Sequence, residues 1–322
     1  MIGYHASHEQ HPPSALIADV RAAEEAGFEG IWSSDHLTPW SREQGESGFA
    51  WSWLGAAMQA TTLPFGVVNA PGQRYHPVIV AQAMATLGEL FPGRLTVAMG
   101  SGEASNEHVT GDRWPEKRIR NERLFESVEA IRALLRGEEV TVDGHVRIDR
   151  ARLWTLPSEP VPIIGAALSP ETARWCGSWA DGLITVHLPP DELRAVIDAF
   201  REGGGDGKPV AVQAKVAYAV DEKEALAGAF EQWRTNVFPS VLMADLERVE
   251  QFEAAAHHVQ PDDVRASVLV SSDLGQHACW LRGILDAGAD HIYLHHVPRP
   301  QERFIEAFAE HVLPELREGA SS

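Results

Sequence analysis

Apolar residues recur every three to four positions in several stretches of the chain. Leu16, Ile17, Val20, Ala23 and Gly27 mark one such face, and Leu124, Val128, Ile131, Leu134 and Leu135 mark another. That period predicts helices with one buried side. Between these stretches lie short apolar runs that do not alternate with polar residues: Gly30 to Trp32, Pro64 to Val68, Leu95 to Met99, Val161 to Ile164, Gly182 to Val186, Val210 to Val212 and His291 to Leu294. Strands covered by helices on both faces read this way. Ile2-Gly3-Tyr4 brings the candidate strands to eight.

The joint from helix to strand repeats as well. Ala26-Gly27-Phe28-Glu29-Gly30-Ile31-Trp32 resembles Ala287-Gly288-Ala289-Asp290-His291-Ile292-Tyr293, and Ala180-Asp181-Gly182-Leu183-Ile184 is a looser copy. Eight βα units predict an α/β fold of the closed (β/α)8 barrel type (a TIM barrel), in preference to an open sheet with a second domain. With no proline-rich or low-complexity linker, residues 1–322 read as one domain. Some stretches exceed what βα connections need and read as insertions. Thr38 to Ser52 is one. Val140 to Ile148 reads as a hairpin turning at Asp143-Gly144, and Thr235 to Asp263 holds a further helix from about Leu246 to His257. The first and last are expected to cover an active site.

Composition narrows the partners. In 322 residues, 44% hydrophobic and 23% charged, a large core is expected. Against 46 acids there are 27 bases, and the net charge of −19 argues against nucleic acid. Cys176 and Cys279 lie far apart without a CxxC pair, which suits a reducing compartment. Met1 to Glu9 has neither a basic start nor an apolar run, and 18 apolar residues never follow one another. A soluble, cytoplasmic protein is expected, with no membrane partner.

Reacting groups of such barrels sit where strands end and loops begin. Those positions are polar here: His5, Ser33-Ser34-Asp35-His36, Asn69, Gly100-Ser101-Gly102-Glu103, Thr185 with His187, Lys215 and His295-His296. An imidazole titrates near neutrality, so His36 is the first candidate for proton transfer. Asp35 precedes it, but neighbours on an extended strand point to opposite faces, so the two need not touch. Gly100 and Gly102 let backbone approach a flat or charged ligand, with Glu103 beyond them as a candidate general acid. The third glycine of GxGxxG is missing, Ser105 and Asn106 following instead, which weakens a dinucleotide fold. Ser169-Pro170 reads as an N-cap and first helical residue whose free N–H groups suit a phosphate, although Glu171 in the first turn opposes this. His5, His8 and His11 recur every three residues, yet Gly3 and Pro12-Pro13 argue for a loop, and no HxH or HExxH spacing supports a metal. Trp40, Trp51 and Trp53 with Phe49 form an aromatic group in the first insertion that either covers an apolar ring or pins the loop. No GxSxG elbow is present.

Taken in order, several of these segments resemble the luciferase-like superfamily of flavin and deazaflavin oxidoreductases, in the branch near coenzyme F420-dependent glucose-6-phosphate dehydrogenase. The matching pieces are Ser34-Asp35-His36 with Pro39-Trp40, Arg74-Tyr75 with Pro77 and Ala81-Gln82, Gly100 to Glu107, and Ala180-Asp181-Gly182. The resemblance implies a barrel in which Asp35 and His36 flank a tricyclic redox ring and Trp40 lines its substrate side. It implies that Val67-Val68 forms a non-prolyl cis peptide behind the ring. It implies Glu103 as general acid, Asn106 as a cofactor contact and Glu9 as a further substrate-side acid. By the same correspondence Asn69, Gly100, Ser101, Gly102, Ala167, Leu168 and Ser169 line the cofactor.

Two departures shape the expected chemistry. Leu188-Pro189-Pro190 stand where the sugar-phosphate dehydrogenases have a substrate-binding lysine, and Leu168-Ser169 replace a glycine pair near the cofactor tail. The expectation is therefore FMN, its phosphate held at Ser169-Pro170 or by Arg74, with coenzyme F420 as the alternative. An FMN monooxygenase would use O2 and a partner flavin reductase. The family also implies a homodimer. From other classes, a metal-dependent barrel hydrolase and a non-catalytic flavin-binding protein remain.

Overall fold

The unalternating runs become the staves of a barrel. A computed structural model describes residues 1–318. Its strands in chain order are β1 (Ile2–Ala6), β2 (Ile31–Ser33), β3 (Phe65–Asn69), β4 (Leu95–Met99), β5 (Val140–Asp143), β6 (Arg147–Ala151), β7 (Ile163–Ala166), β8 (Leu183–Val186), β9 (Val210–Ala217), β10 (Leu269–Val270) and β11 (His291–His296). Eight of them, β1, β2, β3, β4, β7, β8, β9 and β11, pair in parallel in that order, and β11 returns to β1. β5 and β6 form the antiparallel hairpin expected around Asp143-Gly144. β10, only two residues long and unforeseen, adds to the far end of β9 with Leu269 opposite Val216.

Helix starts follow local chemistry. Pro13 opens the first helix, and the Ser169 hydroxyl accepts from Thr172 N at the start of Pro170–Gly177. Asp273 accepts from the N–H groups of Gly275 and Gln276 to start Leu274–Asp286. The helices seal the outer core against the strands. Inside the ring, Trp32, Ala98, Ile164, Ile184, Ala211 and Tyr293 pack as a separate lumen layer. Gly3 and Gly66 are glycines for its sake, because a Cβ on either would overlap the Tyr293 or the Trp32 ring.

Two expectations need correction. Every peptide bond among the described residues is trans, Val67–Val68 included. The Val67 side chain also packs into the outer core, so only Val68 faces the lumen. Trp51 and Trp53 lie on the helix Ala50–Ala60, buried in the outer core, with Trp53 Nε1 donating to Pro13 O at 3.1 Å. Of the two readings left open for the aromatic group, these two take the second and pin the segment. No helix among the described residues is long and apolar enough to cross a membrane.

Candidate active site

Side chains alternate along a strand, so residues two steps beyond the lumen layer point into the mouth. These are His5, Ser34, Val68, Gly100, Ala166, Val186, Gln213 and His295, with Lys215 two residues further along β9. The mouth therefore has two unlike walls. On β3, β4 and β7 it is small and apolar, and a Cβ on Gly100 would meet nothing nearer than Ala166 at 3.6 Å. On β1, β9 and β11 it is polar: His5 Nε2 lies 3.1 Å from Gln213 Nε2, and the His5 and His295 rings are 4.7 Å apart.

Asp35 and His36 do turn to different partners. The Asp35 carboxylate is buried, accepting from Asn69 Nδ2 at 2.8 Å and from the Tyr75 hydroxyl at 2.8 Å. Arg74 Nη2 donates to Asp35 O at 2.9 Å and stands 3.4 Å from its Oδ1, while Glu107 Oε2 accepts from Arg74 N at 2.6 Å. Arg74, expected as a phosphate ligand, is thus spent on two internal carboxylates. A buried pair of this kind is costly to break because the charge left behind has no water. Both Asp35 oxygens are engaged, so this carboxylate braces the loop that carries His36.

His36 is oriented by Asn106. Asn106 Oδ1 accepts from Leu37 N at 2.8 Å, which turns its amide nitrogen to His36 Nδ1 at 2.9 Å. With Nδ1 accepting, the proton of the neutral ring sits on Nε2. Ser47 Oγ donates to His36 O at 2.6 Å, and the Trp40 ring lies 4.3 Å from the imidazole. Glu103 Oε2 is 3.9 Å from His36 Nδ1.

Two carboxylates near this imidazole are pushed in opposite directions. Burial raises the pKa of Glu103 against the pull of His36, and Glu9 raises it further. Burial acts on Glu9 too, but the charge that His36 carries when protonated, with the Ser7 hydroxyl, more than offsets it and holds Glu9 below its usual range. Glu9 Oε2 accepts from Ser7 Oγ at 2.7 Å and Ser34 Oγ at 2.9 Å. Glu9 Oε1 and Glu103 Oε2 are buried without a partner. The two acids are thus pushed apart, Glu103 toward its protonated form and Glu9 toward its ionised form.

On the polar wall, burial drives His5 and His187 down to about 3, and lowers His295 strongly. Burial alone draws Lys215 from 10.5 to about 8. His295 Nε2 is 2.6 Å from Gln10 Oε1, so a hydrogen bond and not a ligand accounts for that nitrogen.

The insertions meet above this mouth. Arg42 in the first pairs with Glu250 at 2.8 Å and with Glu253 in the last. Ala104 N donates to Ala244 O at 2.9 Å, and Trp114 Nε1 to Asp245 Oδ1 at 3.0 Å, tying the last insertion to the loop after β4. Ser101 lies on that loop, partly exposed, and Gly102 has φ +83°, a conformation that favours glycine. Sequence patterning missed Trp233, whose ring is 5.9 Å from Trp40, because nothing local distinguishes a tryptophan ending a helix. It also missed Lys117, whose Nζ reaches Thr172 Oγ1 at 3.3 Å and brings a cation to the helix start at Ser169. Ala167 is buried beside that start, whereas Leu168 is 50% exposed.

The sequence family described as luciferase-like monooxygenase matches residues 2–291. An F420-dependent glucose-6-phosphate dehydrogenase of Nakamurella multipartita is 35% identical over 98% of this chain and 96% of its own length. An F420-dependent hydroxymycolic acid dehydrogenase of Mycobacterium tuberculosis is 35% identical over 98% of this chain and 88% of its own. A solved F420-dependent secondary alcohol dehydrogenase in complex with an F420-acetone adduct superposes with a TM-score of 0.92 at 30% identity, covering 98% of this chain and 99% of that one. These findings overturn the expectation of FMN and of a monooxygenase reaction, and they favour the alternative, F420. Where the glycine pair is replaced, Leu168 is half exposed and not committed to the core, and the Ser169 hydroxyl caps its own helix.

Proposed function

Because this chain belongs to the luciferase-like monooxygenase family, whose F420-dependent dehydrogenases it matches along nearly its whole length, we propose that it is a coenzyme F420-dependent dehydrogenase acting on an alcohol. The observation that carries this reading is the imidazole fixed by Asn106 between an acid held down, Glu9, and an acid held up, Glu103, beside a flat wall of small residues. That wall, Val68, Gly100 and Ala166, fits a planar ring. Asn69 Oδ1, buried without a partner, is free to receive a hydrogen bond from it. Ser101, Gly102 and Asn106 border the ring position, and Ala167, Leu168, Ser169 and Lys117 border the path of an anionic tail. The deazaflavin, when bound, supplies a two-electron hydride acceptor.

The chain's own residues account for the rest. His36 Nε2–H donates to the substrate oxygen and orients the carbinol. Glu9 Oε1, ionised and unpartnered, accepts the carbinol proton as the C–H electron pair departs. Glu103 holds a proton at Oε2 for delivery on the cofactor side. Trp40 shields the reacting carbon from water.

Titrating the purified protein with F420 and, separately, FMN while following tryptophan fluorescence tests the cofactor, and loss of F420 absorbance with secondary alcohols tests the reaction. His36→Ala is expected to lower the rate about 10²–10⁴-fold with F420 affinity kept. Tight FMN binding with no F420 binding would overturn the reading.

A further inference from the structure

An aromatic strip leads away from the reacting imidazole. The His36 and Trp40 rings are 4.3 Å apart, Trp40 and Trp233 are 5.9 Å apart, and the Lys215 ammonium stands 5.6 Å from the Trp233 ring. Lys215 is in register with His295 on β11, and its backbone N–H donates to His187 Nδ1 at 3.3 Å. The Trp233 indole is the ammonium's neighbour, and His5, His187 and His295, which burial keeps neutral, all feel its charge. Lys215 is partly buried, and among the described residues no carboxylate oxygen lies within 4 Å of its ammonium. A cation placed in a mouth without a counter-ion is costly unless an anion arrives to meet it.

Resting on the dehydrogenase reading above, we infer that the substrate is a hydroxy acid with an apolar body: its carbinol at His36, its chain along Trp40 and Trp233, and its carboxylate on Lys215. A single ammonium matches a single negative charge. A phosphate dianion would leave one charge uncompensated in a mouth that already holds Glu9 and Glu103, and Leu188-Pro189-Pro190 bring no second cation. The neutral carbinol belongs at the acidic end, the anion at the basic one. Oxidation takes the carbinol proton to Glu9 and the hydride to the cofactor of the proposed function, leaving a keto acid with its carboxylate unchanged.

The test compares 7-hydroxyoctanoate with its amide, and octanoate with octanamide and octyl phosphate. With the F420-loaded protein, the acid is expected to exceed the amide at least tenfold in kcat/KM, and Lys215→Met to abolish that preference. With the cofactor-free protein, octanoate is expected to quench tryptophan fluorescence and to bind at least tenfold tighter than octanamide. Lys215→Met is expected to erase this difference and Lys215→Arg to keep most of it. Equal handling of acid and amide by the wild-type protein, or a preference that survives in Lys215→Met, would overturn the assignment. Tighter binding of octyl phosphate than of octanoate would overturn it as well. Failure of F420 to bind would instead refute the dehydrogenase reading, and the octanoate titration of the cofactor-free protein would still judge Lys215.

Discussion

Replacing Lys215 with methionine keeps most of the length of the side chain, one atom short, and removes its charge. Burial draws the ammonium from 10.5 to about 8. A fall of about 2.5 at about 1.4 kcal/mol for each tenfold step corresponds to about 3–4 kcal/mol of stability forgone by the folded protein. Unfolding entropy of about 2 cal/mol/K per residue over 318 residues makes that about 5 °C in melting temperature. The pH dependence has a definite sign. Below pH 8 the lysine is charged in both states and the full penalty applies. Between pH 8 and 10.5 the folded protein loses the proton first, the unfolded chain binds more protons, and wild-type stability rises with pH. Above 10.5 both are neutral and the penalty is gone. Lys215→Met should therefore be more stable than wild type at pH 7, by up to about 3–4 kcal/mol, with the gap closing toward pH 10.5. Urea unfolding at pH 7, 8, 9 and 10, followed by circular dichroism, measures it. A variant no more stable at pH 7, or a gap that does not change with pH, would refute the reasoning. A site that sacrifices stability for a charge is what a binding role requires.

Asn106→Ala should lower kcat about tenfold while KM changes less than twofold, and ¹⁵N spectra of the His36 ring should change from the Nε2-protonated tautomer to a mixture. Arg74→Met leaves Asp35 and Glu107 buried without their cation and should cost about 3–5 kcal/mol by urea unfolding. Gly66→Ala drives a methyl into the Trp32 ring and should cost at least about 1–3 kcal/mol, whereas Gly283→Ala on the helix Leu274–Asp286, with nothing within 4 Å of the new Cβ, should stabilise by about 0.5–1 kcal/mol. Glu103, held above its usual range, should give a kcat/KM profile that declines as pH rises and its proton is lost, and Glu103→Gln should flatten that limb.

Eight strand positions were legible because hydrophobic patterning is local, and a strand covered on both faces leaves a continuous apolar run wherever it stands. The polar ends His5, Asp35-His36, Glu103, Lys215 and His295 were legible for the same reason: each breaks such a run. Residue order could not say which partner each one takes. Asp35 pairs with Asn69, Tyr75 and Arg74 across 34 to 40 residues, and His36 with Asn106 across 70. Those distances close only when the barrel does. The cofactor expectation failed in the same way: residue order could not say whether Leu168 in place of glycine packs inward, and in the fold its side chain is half exposed. Arg74 reads as a free cation until two internal acids are found beside it. The sequence by itself determined the barrel and the identity of the polar groups at its mouth, because period and composition act over a few residues. Only the tertiary structure decided which acid is pushed up and which is held down, which cation stands without a carboxylate partner and which wall is flat, because burial and charge depend on what the closed ring brings within a few ångströms.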